Sequence, residues 1–542
     1  MQNGGNHRMN ATTKPLPVFS DVEAGMQFVA GLPLGTPTEA LDDLNLMLDS
    51  LAQTPPAADV YLGLLEQSRT ALCFVSEELA RSYASKPLPI SDHKERNFRQ
   101  VAVIWRKVAN AYQQCALLES GPQGMRDHSR LALSLQRSIS YASLCLVEHY
   151  RARREPPRGI WEDMHASYAM ADACHVDTTP VADALCSGER SAHCASALIS
   201  ALLTELAGPF SLSTRDFGLV RRWADRWAPM VSLHPAREDE ALPPLIIDLA
   251  KDTALRGGTE ESSLSSLRCL DISRLTLQLR ESLHLLKHKA TPSDIGLGED
   301  CTAGQCRRLL EHLAMAWSPQ VHAPRKYRRH AAKGFATVCA GFEAMHFFIS
   351  GKDFSPPDKQ AAQTHLEFER LFAFPQMVDP EHTLQYRREQ MGLTCERWEV
   401  INQSANGFRM RRSQSGTSIA HGQLMALRPQ AEAPFLLGRV NWLMQTGNGE
   451  LIVGVETLPG IPEAIAARPL THTDVHNTAF RRAFLLPAIA ALGTEASLLL
   501  PSGWYRPFRV VEIAASAPRR VELLHVLDDG PDFEHVSFAA VK

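Results

Sequence analysis

The sequence predicts a multidomain α+β protein, with an all-α N-terminal region followed by β-barrel-like modules. Three observations carry that expectation. Apolar residues recur at helical spacing from about residue 20 to about 320; after about residue 396, short alternating runs broken by glycine, asparagine and proline take over. At 542 residues the chain is also too long for one hydrophobic core. Its composition is ordinary for a globular protein, with 44% hydrophobic and 21% charged residues. A formal net charge of −4 gives no general attraction to nucleic acid or anionic membrane, so an anion site has to be a local patch.

Residues 1–20, "MQNGGNHRMNATTKPLPVFS", lack the apolar core of a signal peptide and read as a flexible lead-in. The 11 cysteines are scattered through apolar stretches such as "ALCFVSEEL" and "SLCLVEHY". An odd count without a framework fits a reducing compartment. No apolar run approaches the ~20 residues of a membrane span. A cytoplasmic protein is expected.

Residues 21–300 read as helical domains. "TEALDDLNLMLDSL" places Leu41, Leu44, Leu48 and Leu51 on one helical face behind a capping signal at Thr38. "DVYLGLLEQSRTALCFVSEELARSYA", "NFRQVAVIWRKVANAYQQCALLE", "HSRLALSLQRSISYASLCLVEHYRARR", "GIWEDMHASYAMADACHV" and "SAHCASALISALLTELAGPF" are amphipathic helices separated by proline-containing breaks. They predict a bundle or an irregular helix-pair array, without a fixed repeat. "RGGTEESSLSSL" (256–267) marks a boundary or an exposed loop, and two helices follow it, "CLDISRLTLQLRESLHLLKH" and "GQCRRLLEHLAMAW". The helical half is either a scaffold or dimerisation region, leaving a homo-oligomer open, or the surface for an unidentified protein partner.

Residues 301–465 form the next unit. "FATVCAGFEAMHFFISG" (335–351), rich in aromatic and β-favouring residues, reads as strand-like, and residues 352–396 as a charged, helical insertion. "RWEVIN", "GFRMRR", "QLMALRP", "FLLGRVNWLMQ" and "ELIVGVETL" are short strands, and "TGNGE" is a hairpin turn. Residues 466–542 form a smaller β-rich module, with "ASLLLPSGWYRPFRVVEI" and "RRVELLHVL".

One break in the strands carries chemistry. Between "RWEVIN" and "GFRMRR", the run Asn402-x-Ser404-x-x-Gly407 puts an amide and a hydroxyl two residues apart, hence on one side of a strand end. Asn offers a donor and an acceptor and Ser a rotatable hydroxyl, which suits a base edge or a phosphate oxygen. Gly407 allows a positive φ or a close backbone approach. A bare Asx-type turn is the simplest alternative.

This pattern resembles the signature of PilZ domains, bacterial receptors for cyclic di-GMP, in which [Asp/Asn]-x-Ser-x-x-Gly works with an upstream Arg-x-x-x-Arg. Four arginine pairs have that spacing: Arg126/Arg130, Arg154/Arg158, Arg222/Arg226 and Arg325/Arg329. The first three lie in or beside helices, where such pairs usually form a solvated face. Only "APRKYRRHAAKGFATV" carries the pair in a proline-preceded linker leading into a strand-like run. Tyr386-Arg387-Arg388 lies nearer the motif but has no second arginine at the fourth position. "FLLGRVNWL" and "LIVGVETL" also look like the strands that close PilZ barrels. The resemblance covers roughly residues 320–465 and implies a PilZ-like antiparallel β-barrel, with residues 352–396 inserted between its first two strands.

The resemblance implies cyclic di-GMP as the ligand, held by Arg325, Arg329, Asn402, Ser404 and Gly407. Arg328 is added from the local charge of "RKYRR". Guanidinium groups fork onto phosphates and onto the O6/N7 edge of guanine. Trp442, in "RVNWLM", is either a core residue or an aromatic face flanking the ligand. The implied role is a receptor that controls motility, adhesion or biofilm state through a partner. Two other readings are a barrel that docks proteins without binding nucleotide, and a nucleic-acid-binding regulator using "RKYRR" and "RMRRSQSG". The mild acidity of the chain weighs against the second. Cys301, Cys306 and His312 read as ordinary thiols and a histidine rather than a zinc site, and His472/His476 as a surface pair. No G-x-S-x-G elbow or P-loop frame is present, so neither an enzyme nor a cofactor is expected.

Overall fold

A computed structural model describes residues 17, 19, 21–120, 127–183, 185, 192–238, 245–255, 262–318, 329–356, 393–413, 415–470, 479–514 and 518–541. The chain opens with helices α1 (Val22–Ala30), α2 (Pro37–Gln53), α3 (Ala58–Ala80), α4 (Asp92–Glu119), α5 (His128–Arg151), α6 (Ile160–Ala173), α7 (Cys194–Leu206) and α8 (Thr214–Trp227). Leu41, Leu44, Leu65, Leu72, Val108, Leu135 and Ile139 are fully buried between them, each contributing roughly 1.5–3 kcal/mol on transfer from water. The α2 cap lies two residues before the predicted one: Thr36 is the N-cap and Pro37 opens the helix.

An ionic cluster is built into this bundle. Asp183 accepts from Arg69 Nη2 (2.6 Å) and Arg137 Nη1 (2.9 Å), and Glu66 accepts from Arg69 Nη1 (3.0 Å) and Arg137 Nε (3.1 Å). The tyrosine hydroxyls of residues 112 and 141 complete it: Tyr112 donates to Glu66 and Tyr141 accepts from Arg69. Burial raises the Asp183 carboxyl, but the two guanidiniums outweigh that and hold it below its ordinary value.

The helical region is interrupted by a small antiparallel sheet of β1 (Ser232–Pro235), β2 (Ile246–Asp248) and β3 (Leu267–Asp271), in the order β1-β3-β2. These strands are too short to show an alternating pattern, so the sequence does not announce them. Helices α9 (Ser273–Lys287) and α10 (Ala303–Ala316) follow. The pair Arg222/Arg226 does more than present a solvated face, although Arg222 is exposed. Arg222 binds Asp300 (2.6 Å) and Arg226 binds the Gly296 carbonyl, so the two pin the loop before α10. Cys301 and Cys306 lie 2.7 Å apart at the sulfurs, and His312 meets the Ala207 carbonyl; His472 and His476 lie outside the described residues.

The first barrel is built from β4 (His330–Ala331), β5 (Phe335–Ala340), β6 (Glu396–Ser404), β7 (Gly407–Arg412), β8 (Leu424–Arg428), β9 (Leu436–Gln445) and β10 (Leu451–Thr457). The order β6-β5-β8-β9-β10-β7 closes into a ring because β7 also pairs with β6, while β4 lies along the far end of β6. Trp398, Met410, Met425, Leu427, Val440, Leu443 and Val453 fill it. Residues 335–351, expected as one strand-like run, divide at Gly341 (φ +86°) into β5 and helix α11 (Phe342–Ser350). Tertiary packing overrides β propensity here, since Met345 and Phe347 are buried in a core shared with the second barrel. The predicted helical insertion falls largely on residues 357–392, outside the described ones.

The second barrel closes as β11-β12-β13-β16-β15-β14 from β11 (Glu463–Pro469), β12 (Arg481–Leu486), β13 (Ser497–Pro501), β14 (Val510–Ala514), β15 (Pro518–Asp529) and β16 (Phe533–Ala540). It docks on the first through the β15–β16 turn: Asp532 Oδ1 accepts from the Leu424 amide (3.0 Å), and Arg439 binds Asp528 (3.0 Å). The helices meet the first barrel through backbone bonds. Leu88 and Ile419 exchange amides (2.8 Å each), and the Gln445 amide donates to the Arg153 carbonyl (2.8 Å). His421 bridges the Ser211 and Asn441 carbonyls; burial, aided by nearby Arg153, pushes its pKa down to about 4.

Candidate functional site

Strands β6 and β7 form a hairpin with Ser404 opposite Gly407. The Ser404 hydroxyl donates to Asn406 Oδ1 (3.0 Å), and the Asn406 carbonyl accepts from the Thr457 amide (3.0 Å), so the turn is tied down on both sides. Of the two uses the sequence left open for Gly407, close approach is the one realised. A Cβ there would lie 2.5 Å from the Val455 carbonyl oxygen.

The linker reaches this turn from the other side. His330 and Ala331 pair with Gln403 and Asn402, and just before them Arg329 Nη1 donates to Asn402 Oδ1 (3.3 Å). Residues 73 apart in sequence therefore touch. Arg325 and Arg328 lie outside the described residues. Asn402, Ser404, Gly407 and Arg329 are brought together at one end of the barrel.

Register extends the site across the sheet. Asn402 is opposite Arg409, Arg409 is opposite Gly454, and Gly454 is opposite Trp442. The neighbours Met410, Val453 and Leu443 point inward and are fully buried, so this row faces outward. Bulges flank it, at Ile401 on β6 and at Asn441 on β9, where the pairing register shifts. Bulges re-aim side chains and are common beside binding sites. The bare Gly454 backbone makes room for the indole: a Cβ there would be 1.9 Å from Trp442 Nε1. Trp442 is thus a half-buried residue of the outer face rather than of the core. The Arg409 guanidinium lies 5.5 Å from its ring centre. Arg409 was not singled out for this site from sequence; its signal was its place two residues after Gly407, on the same face as Asn402.

A cleft of about 530 Å³ lies one register step away, lined by Phe335, Glu396, Glu399 and Arg411 among others. Two of its guanidiniums are already paired, and a third, Arg397, lies over the Phe335 ring. Arg411 binds Glu399 (2.8 Å), and Arg412 binds Glu396. Burial pushes Glu396 up, but the Thr417 amide and Arg412 outweigh it and hold the carboxyl low. A new anion gains little from guanidiniums so committed. The Asn402 row, with its tied-down turn and arginines, is the better receptor surface. Among the described residues no cluster of His, Cys, Asp and Glu could hold a metal.

A closed six-stranded ring with an arginine-bearing linker laid against its Asn-x-Ser-x-x-Gly turn defines a PilZ-type receptor module. Comparison with known families is consistent along the chain. Residues 23–238 match the N-terminal domain of the cyclic-di-GMP receptor FimW, residues 245–371 its middle PilZ domain, and residues 465–541 its C-terminal β-barrel domain. The chain belongs to the PilZ-domain cyclic-di-GMP receptor family. A relative, the cyclic-di-GMP receptor FimW of Pseudomonas aeruginosa PAO1, is 22% identical over 512 residues, spanning 88% of this chain and 83% of its own length. The turn at residues 402–407 lies beyond the stretch matched by the PilZ-domain model, so its assignment rests on sequence and geometry. No helix of the described residues is long and apolar enough to cross a membrane.

Proposed function

We propose that this protein binds cyclic di-GMP at the β6–β7 turn and passes the binding event to a protein partner, without catalysing a reaction. The observation that carries the reading is the contact between Arg329 and Asn402, which unites the arginine linker with the turn. The relative is a cyclic-di-GMP receptor, which supports the ligand. In this reading Arg329, with Arg325 and Arg328 from the same linker, meets the phosphates and a guanine edge, while Asn402 and Ser404 fix the ligand's polar rim. Gly407 keeps the turn close to β10. The output would be control of motility, adhesion or biofilm state in the cytoplasm.

Binding would draw the linker onto the barrel, and β9 would feel it. This strand carries Trp442 at the site, Gln445 against the helices and Arg439 against the second barrel. A ligand that favours one placement of the linker would shift the three modules together. Titration calorimetry with cyclic di-GMP tests the reading, using the native chain, Arg329→Ala and Ser404→Ala. Micromolar or tighter binding by the native chain, weakened at least tenfold in both variants, is expected. A folded native chain that does not bind overturns it.

A further inference from the structure

We infer that Arg409, supported by Trp442, is the guanine-reading residue of this site and sets its preference for guanine over adenine. The inference rests on the proposed nucleotide site and extends it along the register row by residues that the Asn-x-Ser-x-x-Gly pattern does not include. Arg409 differs from three other arginines on this barrel. Arg411, Arg412 and Arg439 each meet a carboxylate. Arg409 meets none among the described residues; it lies over the Trp442 ring, as Arg412 lies over Trp398 and Arg428 over Phe435, and its Nε, like theirs, is shielded from water without a hydrogen-bond partner there.

The setting fits a base better than a phosphate. The Trp442 indole lies across the bare Gly454 backbone, on the Arg409 side of β9, so its ring and the guanidinium share the outer face. From Asn402 to Trp442 there are three strand spacings, ~14 Å in all, so a ligand with its phosphates at the linker end can lay a purine along the row. A guanidinium backed by an indole is held in plane and offers two parallel N–H groups at its rim. Guanine presents two acceptors, O6 and N7, that match them, whereas adenine has a donor in place of O6. Glu456, two residues along β10 from Gly454, accepts from the Asn441 amide (2.6 Å).

The test measures cyclic di-GMP and cyclic di-AMP binding to the full chain, to Arg409→Gln and to Arg409→Lys, with thermal melting of each. Both variants keep the aliphatic stem, and Lys keeps the charge. The expected result is cyclic di-GMP affinity roughly ten- to a hundredfold lower in both variants, the scale of one forked arginine–guanine pair, with unchanged melting and little change for cyclic di-AMP. Native affinity in Arg409→Lys would reduce the residue to a point charge and overturn the inference. So would equal losses for both ligands. If the native chain binds cyclic di-GMP and both variants bind it equally well, the guanine-reading role falls while the receptor reading stands. If the native chain binds neither ligand, both fall.

Discussion

At the scale of the residue, the site is held by positions with almost no freedom. Gly407→Ala would push a methyl to 2.5 Å from the Val455 carbonyl, where only backbone can give way. We expect a loss of about 1–3 kcal/mol in urea unfolding, as for an overpacked core, with cyclic di-GMP binding weakened; unchanged stability would show that the turn relaxes. Asp183→Ala is expected to cost more, about 3–5 kcal/mol, because it leaves two buried guanidiniums to share the single carboxylate of Glu66. The Asp183 carboxyl titrates below its unfolded value of 3.8. Its contribution is therefore complete above that value and fades as pH falls through the lower folded-state value. The native chain should lose stability in that acid range, and Asp183→Asn should show a smaller acid-dependent loss. Polar types at fixed spacing made Asn402, Ser404, Gly407 and Arg329 legible in the sequence. Arg409 and Trp442 were harder because cross-strand register, and not spacing, makes them neighbours.

At the scale of the element, legibility follows periodicity. Strands β6 and β7 and helices α2, α3, α4 and α6 have one buried face each, and that face writes its period into the sequence. Helix α11 was misread because it is buried against a barrel by aromatic residues, which in isolation favour strands. Strands β1 to β3 were invisible for want of length. The β15–β16 turn offers a test of how elements lock together. Gly530 passes so close to the first barrel that a Cβ would lie 2.3 Å from the Gly422 carbonyl oxygen. Gly530→Ala should lift this turn away and free the Leu424 amide, now bonded to Asp532. Faster hydrogen exchange at Leu424, with the second barrel still folded, is the expected reading; unaltered exchange would place the docking energy elsewhere.

At the scale of the whole molecule, the two barrels meet across a buried acid. Burial raises Asp532 to about 6, partly offset by the Leu424 amide. Its folded value exceeds the unfolded 3.8, so the proton-bound form stabilises: the gain is full below 3.8 and is lost as pH rises through about 6. Asp532→Asn keeps the acceptor and removes the charge. It should raise the melting temperature at pH 7.5 and change it little below pH 3.8, and a rise of equal size at both would contradict the assignment. A separate consequence follows from the pairing of β5 with β6, where Val338 lies opposite Glu396. The chain leaves the ring on one strand and returns on its neighbour, with both ends fixed side by side. Closure cost grows only slowly with length, so a longer segment between Ser355 and Leu393 should cost the ring little. A circularly permuted fluorescent protein exchanged into that stretch would sit beside the strand that carries Asn402, turning occupancy of the row into an optical signal inside living cells.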